Sequence, residues 1–136
     1  MANKIKLEVV SPTEVVYTAD ANMVIVRSSG GELGIMPGHA PLIAGLIPAP
    51  VRVKDEEGET LLAVSGGFIE VQPTKITILA TCAELGDKID VERAEKARQR
   101  ALERLNNKQS TIDLDRAGFA LKRATARLKA AGRIIQ

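Results

Sequence analysis

The residues best equipped for chemistry in this sequence are arginines, and they come in two matched trios. Shifting residues 89–105 by 23 positions lays them on residues 112–128, with Ile, Asp, Arg, Ala, Ala, Arg, Ala, Arg and Leu coinciding in register. Arg93, Arg100 and Arg104 are thereby matched by Arg116, Arg123 and Arg127. Spacings of 7 and 11 put each trio on one side of a helix. The planar guanidinium fork binds phosphate at two points, which lysine cannot reproduce. Two readings stay open: a solvated helical face laced with i,i+4 pairs such as Glu92–Lys96, or an anion site. The repeat itself reads either as a duplication or as the limited alphabet of alanine-rich amphipathic helices. Nucleic acid is a poor fit, because Phe68, Phe119 and Tyr17 are the whole supply of aromatics for stacking on bases. A phosphorylated small molecule or an acidic protein surface fits better.

No other group of residues suggests a reaction. His39 sits in Pro37-Gly38-His39-Ala40-Pro41, and no nucleophile elbow accompanies it. Neither a P-loop nor a dinucleotide fingerprint occurs, and Ser29-Gly30-Gly31-Glu32 is glycine-rich only in a weak sense. Cys82 is the sole cysteine and His39 the sole histidine, so neither a disulfide nor a zinc site is expected. The expectation is a protein that is not an enzyme, with no catalytic residue, no catalytic cofactor and no metal.

Two differently built halves must position the arginines. Residues 1–86 carry 6 Lys/Arg against 10 Asp/Glu, and residues 87–136 carry 13 against 7. All six prolines and nine of the eleven glycines precede residue 87. In the first half Ile5, Leu7 and Val9 alternate with Lys4, Lys6 and Glu8, and Val51 and Val53 alternate with Arg52 and Lys54. That period of two marks half-buried strands. Further short apolar runs lie at residues 15–17, 23–26, 33–35, 61–64, 68–71 and 76–79, separated by turn residues such as Gln72-Pro73-Thr74. They predict an antiparallel sandwich or flattened barrel. Gly66 and Gly67 read as a bulge rather than a ligand site. In the second half Ala94, Ala97, Ala101, Leu102 and Leu105 recur at helical spacing behind Asp90, a good N-cap. Asn106 and Asn107 end that helix, and Ser110 or Asp113 caps the next. Leu114, Ala117, Leu121, Ala124, Leu128 and Ala131 then form a narrow 3-4 seam suited to one partner helix. The short link predicts an antiparallel hairpin.

No apolar run approaches the roughly 20 residues that cross a bilayer, and the first six residues lack a signal peptide's apolar core. With one cysteine, a cytoplasmic setting is expected.

Gly31-Glu32-Leu33-Gly34-Ile35-Met36-Pro37-Gly38-His39-Ala40-Pro41-Leu42 resembles the signature loop of epsilon subunits of bacterial F-type ATP synthases. Ser65-Gly66-Gly67-Phe68-Ile69-Glu70-Val71 and Thr77-Ile78-Leu79-Ala80 match further segments of that family. The resemblance covers nearly the whole chain. It implies a β sandwich of about ten strands over residues 1–86 and a regulatory helical hairpin over 87–136. It also implies a peripheral place on the cytoplasmic face of the plasma membrane, as a rotor subunit against the gamma subunit and the c-ring. Glu32, Gly34, Met36 and His39 would lie on the edge that touches the ring.

Ile89-Asp90-Val91-Glu92-Arg93-Ala94 matches the I/L-D-x-x-R-A motif by which some members of that family bind ATP. The accompanying family positions fall on Glu84, Arg100, Arg123 and Arg127. The resemblance thus implies ATP as a regulatory ligand, with or without Mg2+, held by Glu84, Ile89, Asp90, Arg93, Ala94, Arg100, Arg123 and Arg127. Folded down, the hairpin would form this pocket; extended, its basic second helix would lie against acidic segments of the alpha/beta catalytic head and obstruct hydrolysis. Two other classes remain: a β-domain adaptor with a permanent docking hairpin, and a phosphometabolite sensor unconnected with a membrane complex.

Overall fold

The computed structural model describes residues 3–107 and 113–132. Ten strands precede two helices. They are β1 (Ile5–Val10), β2 (Val15–Ala21), β3 (Met23–Ser28), β4 (Gly31–Ile35), β5 (Leu42–Leu46), β6 (Ala49–Asp55), β7 (Gly58–Val64), β8 (Gly67–Val71), β9 (Lys75–Ala80) and β10 (Ala83–Leu85). A short 3-10 turn, Gly86–Lys88, leads into α1 (Val91–Asn106) and α2 (Leu114–Ala130). The strands hydrogen-bond in the order β10-β7-β6-β3-β5-β8-β9-β1-β2, with β4 paired to β3. Only Ser28 and Leu46 join β3 to β5, and the path folds over at that joint. Its two halves enclose one core of alternating residues, among them Ile5, Leu7, Val24, Ile35, Leu62, Ile69, Ile76 and Ile78.

The sandwich is antiparallel as expected, except at one place. β1 runs parallel to β9, with Lys6 opposite Lys75 and Val9 opposite Ile78. A parallel pair needs a long crossover, and here the crossover is most of the domain. The bulge expected at Gly66 and Gly67 is instead the joint where the chain leaves β7 for β8 in the other half of the path. Both glycines have positive φ, at 97° and 121°. A Cβ on Gly67 would stand 2.1 Å from the Leu79 carbonyl oxygen. The glycines serve a close backbone crossing rather than an inserted residue in one ladder.

On the outer face of the second half, an apolar row crosses the strands. Val15 pairs with Val10, Val10 with Leu79, Leu79 with Phe68 and Phe68 with Gly45. Opposite partners share a face. Val15, Leu79 and Phe68 are exposed, as is Ile43 two residues from Gly45.

The helices fold back on each other and α2 lies on β6 and β7. The narrow seam expected for α2 is incomplete, because the helix buries two sides. Ala117, Ala124 and Leu128 belong to the seam, but Ala126 and Ala130 are equally buried, and Leu114 is exposed. Ile89, Ala94, Leu128 and Ala130 cluster with Ala63 of β7, backed by Leu61 and Val91. Asp113 caps α2; the alternative cap, Ser110, and the repeat residue Ile112 lie outside the described residues.

At Gly86 the linker runs close against the end of α2. An added Cβ would stand 2.1 Å from the Ala130 carbonyl oxygen and 3.0 Å from that of Leu61. Gly86→Ala is therefore expected to loosen the hairpin by about 1–3 kcal/mol, the usual penalty of overpacking, without melting the sandwich. Hydrogen exchange measures this: α2 amides should exchange faster while those of β1 and β8 keep their protection. Uniform loss of protection would contradict it.

Candidate functional site

Both helices begin in the same way. Asp90 Oδ1 accepts a hydrogen bond from the Arg93 backbone N–H at 3.1 Å, and Asp113 Oδ1 accepts one from the Arg116 N–H at 3.0 Å. The Asp-x-x-Arg spacing is therefore a capping device in both copies of the repeat, satisfying an otherwise orphaned donor. It fixes where each helix starts, and with it the direction in which each arginine leaves the backbone.

Between the helices and the edge strand β10 lies a groove of about 570 Å³. Arg93, Arg100 and Arg104 line it from α1, Arg123 and Arg127 from α2, and Glu84 from β10, with Ser65 and Cys82 beside Glu84. Arg127 Nε lies 2.8 Å from Glu84 Oε1, and its Nη2 donates to Oε2 at 3.3 Å. This half-buried pair ties α2 to the sandwich. The guanidinium groups of Arg93, Arg100, Arg104 and Arg123 have no carboxylate within ion-pair distance among the described residues. Four guanidinium groups thus face the groove, whose single carboxylate, Glu84, is engaged by Arg127. The planar forks in this arrangement have the geometry to receive phosphate oxygens.

Of the residues singled out from the sequence, Glu84, Arg93, Arg100, Arg123 and Arg127 are brought together here. Asp90 stands outside this lining, as the cap of α1. Ile89 and Ala94 are buried in the cluster beneath the hairpin, where they seat α1. Arg104 lines the groove although the motif omits it; its spacing of 11 from Arg93 already put it on that side of the helix. Ser65 and Cys82 arrive through strand pairing, with the Ser65 N–H donating to the Cys82 carbonyl at 2.9 Å, and nothing local in the sequence signals that. Arg116, the counterpart of Arg93 in the repeat, is exposed and takes no part in lining the groove. The i,i+4 pair Lys96–Glu92 forms at 3.2 Å on the solvent side of α1.

Glu32 and Gly34 lie on β4, which pairs with β3, and the chain continues through exposed Met36 to His39. His39 Nδ1 lies 2.7 Å from the Ala40 carbonyl, and the Gly38 N–H donates to Pro73 in the turn before β9. Glu32 also faces Arg27 at 3.9 Å along a second groove, of about 580 Å³, on the other flank of α2. Elsewhere on the sandwich, the hydrogen bond to Glu59 raises the Arg52 guanidinium above its ordinary range, and that from Lys4 lowers the Glu56 carboxyl below its own.

The β-sandwich domain model of the ATP synthase delta/epsilon chain matches residues 4–86, and the long α-helix domain model of the same chain matches residues 87–132. The chain belongs to the epsilon-chain family of ATP synthases. An ATP synthase epsilon chain from Bacillus pumilus is 50% identical over 129 residues, covering 95% of this chain and 98% of the relative. One from Halalkalibacterium halodurans is 52% identical over 128 residues, covering 93% and 96%. In fold, the chain is similar to one in the Euglena gracilis mitochondrial ATP synthase OSCP/F1/c-ring assembly. The TM-score there is 0.81 at 24% identity, over 98% of this chain and 83% of that one. A chain from the Tetrahymena thermophila central stalk/c-ring gives 0.54 at 16% identity, over 93% and 96%. Among the described residues, no helix is long and apolar enough to cross a membrane.

Proposed function

We propose that this chain is a non-catalytic rotor subunit in the central stalk of an F-type ATP synthase, with a hairpin that restrains ATP hydrolysis when extended and is held folded by bound ATP. The observation that carries the regulatory part is the arginine groove. Its walls come from α1, α2 and β10 together, so it exists only while the hairpin lies on the sandwich. A ligand that binds only the docked form stabilises it by RT ln(1 + [L]/Kd), about 2.7 kcal/mol at a hundredfold excess over Kd. That shifts a two-state balance about a hundredfold.

The remaining surface supports the proposed partners. The apolar row through Val15, Leu79 and Phe68 suits a flat, hydrophobic protein contact, and gamma is the proposed occupant. The exposed edge from Glu32 to His39 would meet the c-ring. Released from the sandwich, α2 would turn Lys122, Arg123, Arg127 and Lys129 toward acidic segments of the alpha/beta head. The complex would place the chain peripherally on the cytoplasmic face of the plasma membrane.

The test compares assembled enzymes containing the full chain or a chain ending at Gly86. The shortened chain should stay bound to gamma and give hydrolysis at least as fast as the full chain at low ATP. Raising ATP should narrow the difference as the intact hairpin docks. Slower hydrolysis with the shortened chain still bound would overturn the inhibitory role.

A further inference from the structure

We propose that the groove takes its nucleoside triphosphate as the free polyanion and not as the magnesium complex. The inference rests on reading the groove as the ATP site and concerns the form of ligand that the site selects. A divalent cation such as Mg2+ is held by oxygen ligands in near-octahedral array, commonly one or two carboxylates beside the substrate phosphates. The donor set here does not fit. Five guanidinium groups line the groove, and they can only donate. The one lining carboxylate, Glu84, has both oxygens turned to Arg127, at 2.8 and 3.3 Å. No cluster of three His, Cys, Asp or Glu suited to a metal occurs among the described residues.

Charge points the same way. Five arginines and one glutamate give the lining a net charge of +4. A free nucleoside triphosphate carries about four negative charges near neutral pH, where the terminal phosphate has lost most of its second proton. The magnesium complex carries about half of that and would leave like charges uncompensated while setting a dication among guanidinium groups. Mg2+ and arginine forks both take phosphate oxygens as their partners. The metal and the protein compete for one set of acceptors. Free Mg2+ then lowers occupancy by withdrawing ligand.

The full chain is titrated calorimetrically with ATP in EDTA and again at rising MgCl2. Apparent affinity, expressed on total ATP, should fall at least about tenfold with excess Mg2+, as expected where an added cation opposes fixed cations. Expressed on free ATP, all curves should coincide. The exchange-inert β,γ-bidentate chromium(III) complex of ATP, a fixed metal-bound nucleotide with one negative charge fewer than the magnesium complex, should compete at least about tenfold more weakly than free ATP. Arg104→Glu, which supplies a second carboxylate, should narrow that gap. Binding that Mg2+ leaves unchanged or strengthens, or a chromium complex equal to free ATP, overturns the inference while leaving the ATP site standing. If neither form binds at millimolar concentration, the ATP reading of the groove fails together with it.

Discussion

Arg123→Ala and Arg127→Ala should each weaken ATP binding roughly ten- to hundredfold, corresponding to the ~1.5–3 kcal/mol typical of hydrogen bonds to charged groups. Their side effects should differ. Arg123 has no carboxylate within ion-pair distance among the described residues, so its loss would remove a phosphate contact from the proposed site and relieve repulsion among the remaining guanidinium groups. Arg127 also holds Glu84, and its loss leaves that carboxylate half-buried without its partner. Arg127→Ala should therefore loosen hairpin docking even without ATP, whereas Arg123→Ala should leave docking intact or tighten it. Arg116→Ala is the matched control, the same residue type in the same repeat but away from the groove. Calorimetry gives the affinities and hydrogen exchange of α2 gives the docking. Equal losses in all three variants would mean that general positive charge, not the groove, attracts the nucleotide.

Gly67→Ala should be the most damaging single methyl in the sandwich. The added carbon would stand 2.1 Å from the Leu79 oxygen and 2.9 Å from the Ala80 Cα, both of them backbone atoms that cannot turn aside. The residue would also have to hold φ near 121°. Left-handed backbone costs about 1–2 kcal/mol for a residue with a Cβ, and overpacking typically adds 1–3 kcal/mol. A total of roughly 2–5 kcal/mol is a large share of the 5–15 kcal/mol that holds a domain together. Gly58→Ala separates the contributions, since Gly58 has φ 139° but nothing within 4 Å of the added carbon. Urea unfolding should show Gly58→Ala losing only the backbone share. Equal midpoints for the two variants would show that the crossing gives way freely.

Alternation was enough to reveal the strands that bury one face, such as β1 and β6. β5 escaped notice because Leu42-Ile43-Ala44-Gly45-Leu46 is apolar throughout, its outward Ile43 belonging to the exposed row. β10 is three residues long and carries no periodicity. The parallel pairing of β1 with β9 is a property of the whole path, which no local pattern encodes. On α2 the seam toward α1 was legible from leucines and alanines at helical spacing. The sheet-facing side was not, because Ala126 and Ala130 are as much at home on a solvated helix as in a contact. The convergence of the arginines was legible from spacing and a short link, since a hairpin can face its helices together in few ways. Arg93 and Arg116 show the limit: identical type and register in the repeat, opposite outcomes in space. Glu84 required the family pattern, because its place beside Arg127 depends on β10 lying along β7.

The parallel seam between β1 and β9 also orders events during synthesis. β1 can fold onto β2 as soon as both have emerged from the ribosome, since a single turn separates them. Its other edge has no partner until residues 75–79 emerge, nearly seventy positions later. For that interval the nascent chain presents an open strand edge, the feature by which unfinished β proteins associate wrongly. Contacts so distant along the chain form slowly once they become possible. β10 and the linker at Gly86 follow within a few residues, so the hairpin is synthesised after every strand it packs on. Translation thus delivers the sandwich before the hairpin that packs on it.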